Sequence, residues 1–131
     1  MELNECKNQI REFFVKIPGI DYLFLFGSAL KTLRPESDID ILISGQLTIE
    51  ERLKLSVELG EVFKRKVDLV AVEEASNELI REAIPRGVPI LVNNREKLKS
   101  DYLQNFYRYD DNTNLRELRR QRLKRSYSGG Q

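Results

Sequence analysis

Apolar and polar positions along the chain change period several times, and each change marks an element. Leu3, Ile10, Phe13, Phe14 and Ile17 recur close to helical spacing, and Pro18-Gly19 closes the run, which predicts a helix over residues 3–16. "DYLFLF" (21–26) reads as a short apolar strand stopping at Gly27, and "IDILIS" (39–44) as a second strand closed by Gly45. Thr48 followed by Glu51 predicts a capping box opening a helix to about residue 65, with Leu53, Val57, Leu59 and Val62 as its apolar stripe. "KVDLVAV" (66–72) is a third strand, with Asp68 inside it. A helix through Leu79, Ile80 and Ala83 should end before Pro85, and "VPILV" (88–92) is a fourth strand.

From residue 93 the texture changes. Leu98, Tyr102, Phe106 and Tyr109 fall on one face of a helix, either a docking face or a face packed on the domain's own sheet. A polar break, "DDNTN", separates it from a basic helix expected from about 115, and "SGGQ" reads as a disordered end. The order helix, strand, strand, helix, strand, helix, strand, helix predicts an α/β (α+β) fold, a small mixed β-sheet flanked by helices. Residues 1–95 form its domain and 96–131 a helical, basic C-terminal extension.

Composition narrows the chemistry. With 131 residues, 40% of them hydrophobic and 33% charged, the chain can bury a core without disulfides, and its one cysteine, Cys6, fits a reducing cytoplasm. No apolar run reaches the length of a membrane span, and the polar "MELNECKNQIREFF" is unlike a signal peptide. There is no histidine, which removes imidazole bases and His-type zinc sites. Chemistry must therefore run on carboxylates, Lys or Arg, hydroxyls, or a metal held by oxygen. The net charge of +1 hides +4 on residues 108–131 against −3 on the remainder. Such a tail suits an acidic partner or nucleic acid, or is simply a solvated helix end; no aromatic-rich module argues for direct nucleic-acid binding.

The candidate chemistry lies in "FGSALKTLRPESDIDILI" (26–43). Strand alternation sends Asp38 and Asp40 to one side and Ile39 and Ile41 to the other. Clustered carboxylates repel, and a divalent cation resolves the repulsion; hard oxygen ligands suit Mg²⁺. If the strand of Asp68 lies beside that of Asp38 and Asp40, three carboxylates converge on one site, as two-metal phosphoryl or nucleotidyl transfer requires. Gly27-Ser28 follows a strand, so backbone N–H groups and the Ser28 hydroxyl can receive a phosphate, with Lys31 and Arg34 to neutralise it. Each feature alone has a plainer reading. Asp38 after "PES" fits a turn, Gly-Ser is common punctuation, and Asp68 can pair with Lys64 or Lys66.

Gly27-Ser28, nine intervening residues, Asp38-Ile39-Asp40 and a third acid at Asp68 resemble the nucleotidyltransferases of the DNA polymerase β superfamily. More narrowly, "GSALKTLRPESDIDILI" is similar to the minimal nucleotidyltransferases that act as antitoxins beside HEPN-type toxins, over about residues 10–95. The resemblance implies that Gly27 and Ser28 hold the triphosphate of ATP, and that Asp38 and Asp40 bind Mg²⁺, two ions in all. Asp68 would complete the metal site and serve as base. It implies transfer of AMP to a tyrosine of a HEPN ribonuclease toxin. Stoichiometric blocking of the toxin, or adenylylation of a small molecule, are the alternative functions. One departure stands out: many members carry Arg directly after "GSA", where this chain has Leu30-Lys31.

Overall fold

The computed structural model describes residues 2–27 and 37–111, with side chains to residue 105. Eight elements follow the anticipated order: α1 (Leu3–Val15), β1 (Ile20–Phe26), β2 (Ile39–Gly45), α2 (Ile49–Phe63), β3 (Val67–Ala71), α3 (Asn77–Arg86), β4 (Val88–Val92) and α4 (Arg95–Asp111). The strands make one mixed sheet in the order β3-β2-β1-β4; β1 is antiparallel to both β2 and β4, and β2 is parallel to β3. Among the described residues no helix is long and apolar enough to cross a membrane.

The period-2 pattern of the strands feeds two cores. Leu23, Leu25, Ile39, Ile41, Ile43, Val67 and Leu69 face Cys6, Ile10 and Phe14 of α1 and Leu59 and Phe63 of α2. Tyr22, Phe24 and Leu42 face Ile80 and Ala83 of α3 on the opposite side, joined by half-buried Leu98 of α4. Pro89, which cannot donate to a ladder, sits on the edge strand, where that loss is tolerated.

Two sequence expectations need correction. Leu59 is buried, but Leu53, Val57 and Val62 of the expected α2 stripe are about 60% exposed; Arg52, Leu59 and Phe63 face inward instead. Arg52 takes a core-facing position because its guanidinium reaches Glu74 at 2.6 Å, so its stem packs while its charge is paired. The α3 helix does not stop before Pro85 but runs through it to Arg86. Pro85 lies in the last turn, where it removes one hydrogen bond, and Gly87 N–H closes the end on Ala83 C=O at 2.9 Å. The capping box forms as expected, Glu51 N–H donating to Thr48 Oγ1 and Thr48 N–H to Glu51 Oε1.

α4 is fixed to the sheet by polar chemistry. The fully buried Tyr22 hydroxyl donates to Asp101 Oδ2 at 2.8 Å, and Lys97 Nζ donates to the same oxygen at 2.6 Å. Lys97 also reaches Ser44 Oγ at 3.3 Å, and Ser44 donates onward to Asp21. Burial and the Asp101 carboxylate push the Tyr22 phenol far above its ordinary range, so it stays a donor at every working pH. Of the expected α4 stripe, Leu98 and Tyr102 are half-buried, while the Phe106 and Tyr109 side chains lie outside the described residues. The expected break does not begin at residue 110, since α4 continues through Asp110 and Asp111; the rest of it and the basic helix lie outside the described residues.

Tyr22→Phe should lower unfolding free energy by about 1 kcal/mol, and Asp101→Ala by about 3 kcal/mol, because the latter strands both the phenol and Lys97. Urea denaturation of the two variants measures the difference; equal costs would show that the phenol, not the carboxylate, holds α4.

Candidate nucleotide-transfer site

Parallel pairing of β2 with β3 places Asp40 directly opposite Asp68, and antiparallel pairing of β2 with β1 places Phe26 opposite Asp40. The row Phe26, Asp40, Asp68 therefore crosses three adjacent strands on one face of the sheet. That face carries α3 and α4, but those helices pack over β1 and leave Asp40 and Asp68 half-exposed. Asp38 stands exposed just before β2. The convergence inferred from strand order thus holds for Asp40 and Asp68 by register, with Asp38 near enough for its charge to act on Asp40.

Asp40 carries the electrostatic strain. Burial raises its carboxyl above the ordinary aspartate value, the charges of Asp68 and Asp38 raise it further, and Lys66 partly opposes them. Asp68 has a partner, Lys66 Nζ at 3.7 Å from its Oδ2, whereas Asp38 and Asp40 form no ion pair among the described residues. The acid inside an apolar strand is tolerated here because its side chain is 44% exposed and paired.

Gly27 bounds the row at the end of β1. Its φ is +89°, a conformation that side-chain-bearing residues rarely adopt, and a Cβ there would lie 2.6 Å from Asp40 Oδ2. The glycine thus makes room for the Asp40 carboxylate, a reason that the sequence did not reveal. Ser28, Lys31 and Arg34 lie outside the described residues.

Does this donor set suit a divalent cation? Its oxygens are hard, and the mutual repulsion centred on Asp40 is what a cation would relieve. Among the described residues no three acidic or thiol groups already stand close enough to form a metal cage. The donor chemistry suits Mg²⁺, while Asp68 as it stands is held by Lys66. Lys66 itself was visible in the sequence only as one possible partner for Asp68.

Residues 8–96 match the polymerase beta nucleotidyltransferase family. No curated protein matches the chain. Among solved structures, a toxin-antitoxin with AMP-PNP is 25% identical, with a TM-score of 0.70, over 93% of this chain and 99% of its own. An MNT antitoxin in complex with a tri-AMPylated HEPN toxin of Shewanella oneidensis is 22% identical, with a TM-score of 0.69, over 92% of this chain and 98% of its own. A chain of the MntA-HepT toxin-antitoxin, in a mutant form, is 21% identical, with a TM-score of 0.70, over 90% and 98%. The match over 8–96, reaching from α1 past β4 and including the Gly27, Asp38, Asp40 and Asp68 positions, makes this chain a member of the polymerase beta nucleotidyltransferase family.

Proposed function

We propose that the protein is a Mg²⁺-dependent adenylyltransferase antitoxin, moving AMP from ATP onto a tyrosine of a HEPN-type ribonuclease toxin and thereby silencing it. The observation that carries this reading is the register of Asp40 against Asp68 at a half-covered end of the sheet, with Gly27 beside them. A related toxin-antitoxin solved with AMP-PNP, and another whose HEPN toxin is tri-AMPylated, support the substrate and acceptor.

Asp38, Asp40 and Asp68 would hold Mg²⁺, which supplies neutralisation of phosphate charge in the transition state. The chain's own groups do the rest. The Gly27 backbone, Ser28, Lys31 and Arg34 bind the triphosphate and orient the α-phosphorus. The tyrosine oxygen attacks that phosphorus in line, a new P–O bond forms, and the bond to the bridging oxygen breaks, releasing pyrophosphate. Asp68 accepts the phenolic proton. The toxin presents the tyrosine over the open half of the sheet, and the basic residues beyond 115 meet an acidic surface on it.

Incubation with the toxin, Mg²⁺ and ATP labelled at either the α- or the γ-phosphate tests this. Label should enter the toxin from the α position only, and Asp38→Ala/Asp40→Ala should lower the rate by at least about a hundredfold. A toxin that stays unlabelled yet inhibited, by wild type and double variant alike, would make this a stoichiometric antitoxin.

Two further outcomes follow from the same site. Gly27→Ala should fold but lose at least about tenfold in ATP affinity by calorimetry, because the added methyl group competes with Asp40 Oδ2 for space. Asp40 binds its proton more tightly in the folded chain, so stability without metal falls as pH rises from the ordinary aspartate value through its raised one. At neutral pH the ionised group therefore opposes folding. Asp40→Asn should raise the metal-free melting temperature by about 2–4 °C while abolishing transfer; a lower melting temperature would refute the strain assigned to this carboxylate.

A further inference from the structure

The loop between α2 and β3 carries three cations in sequence, Lys64, Arg65 and Lys66, and the last of them reaches the site. Lys64 turns the chain in the left-handed region, at φ 54°. Strand alternation then separates the next two. Arg65 falls out of phase with Asp68, and its charge acts on Cys6, buried in the core on the other side of the sheet. Lys66, two residues before Asp68, shares the carboxylate face and reaches Asp68 Oδ2 at 3.7 Å.

Main-chain and side-chain positions of Lys66 differ in character. Its carbonyl accepts from Ile39 N–H at 2.9 Å, which ties its backbone to the strand carrying Asp40. Its side chain is 67% exposed and can swing into solvent. At 3.7 Å the ammonium neutralises without a tight hydrogen bond, the geometry of a contact that is easily given up. Among the described residues, no other cation forms an ion pair with any of the three site acids.

We propose that Lys66 is the resident counter-ion of the carboxylate row, holding Asp68 until a divalent cation displaces it. This rests on the metal-binding reading of Asp38, Asp40 and Asp68. Lys66 keeps the empty site from repelling itself, and it sets the metal concentration at which the site fills, since the ion must evict a tethered positive charge. Removing that charge makes metal binding easier, which is the reverse of what a lysine belonging to the metal or phosphate binding set would do.

Mn²⁺ binding, followed by calorimetry and by the loss of free-ion electron paramagnetic resonance signal, tests this without nucleotide or toxin. Lys66→Met should bind Mn²⁺ about two- to fivefold more tightly than wild type, and Lys66→Arg should stay close to wild type. The rise in melting temperature at a fixed Mn²⁺ concentration should be larger for Lys66→Met. Asp38→Ala/Asp40→Ala, which should bind no Mn²⁺, identifies the titrated site. Equal or weaker Mn²⁺ binding by Lys66→Met overturns the role of Lys66 alone. A folded wild-type protein that binds no Mn²⁺ overturns the metal reading along with it.

Discussion

Two carboxylates in register on adjacent parallel strands are the constraint around which this fold is arranged. Asp40 and Asp68 are neighbours across the β2–β3 pair, so backbone hydrogen bonding keeps them close and neither strand can slip without losing its apolar face to solvent. A sheet built only for stability would place a hydrophobic pair there. This one keeps the position half-open, sets a glycine with positive φ beside Asp40, and holds Asp68 through a loose contact with Lys66.

The cost of that arrangement is carried elsewhere. On the side of the sheet away from the acids, α1 and α2 bury a continuous apolar layer that includes Cys6, Phe14, Phe63 and Leu69. On the carboxylate side, α3 and α4 cover β1, and the Tyr22–Asp101–Lys97 cluster, with Tyr22 and Asp101 buried, fixes α4 where a purely apolar contact would leave its position less specified. The polar cluster and the carboxylate row share one face of the sheet, yet the first is internally paired and the second is repulsive. That contrast sets the acid row apart from a structural charge cluster better than burial does.

Much of this was legible in the sequence because the signals were local. Apolar runs bounded by glycine and proline, with helical spacings between them, predicted the eight elements in the order found, and the strand of Asp68 does lie beside that of Asp40. Thr48 and Glu51 announced a cap that forms as written. What the sequence hid was set by neighbours distant in the chain. The α2 stripe failed because Leu53 and Val57 have the right residue type on the wrong side of the helix, while Arg52 turns inward to meet Glu74, 22 positions away. Pro85 looked like a stop, yet the helix ends one residue beyond it. The reason for Gly27 could not be read from its own neighbours, since the group it avoids belongs to Asp40 on the next strand. Lys66 appeared as an ordinary strand-entrance charge until the register set its partner beside a second acid.

If the acid row is a metal site, the repulsion that raises the Asp40 carboxyl must be relieved when a cation binds. Carbon-13 NMR titration of the Asp40 carboxyl, with and without Mg²⁺, measures this directly. The expected result is a metal-free midpoint above that of an ordinary aspartate and a clear fall when Mg²⁺ is added. An Asp40 that titrates as an ordinary surface carboxyl and ignores Mg²⁺ would contradict it.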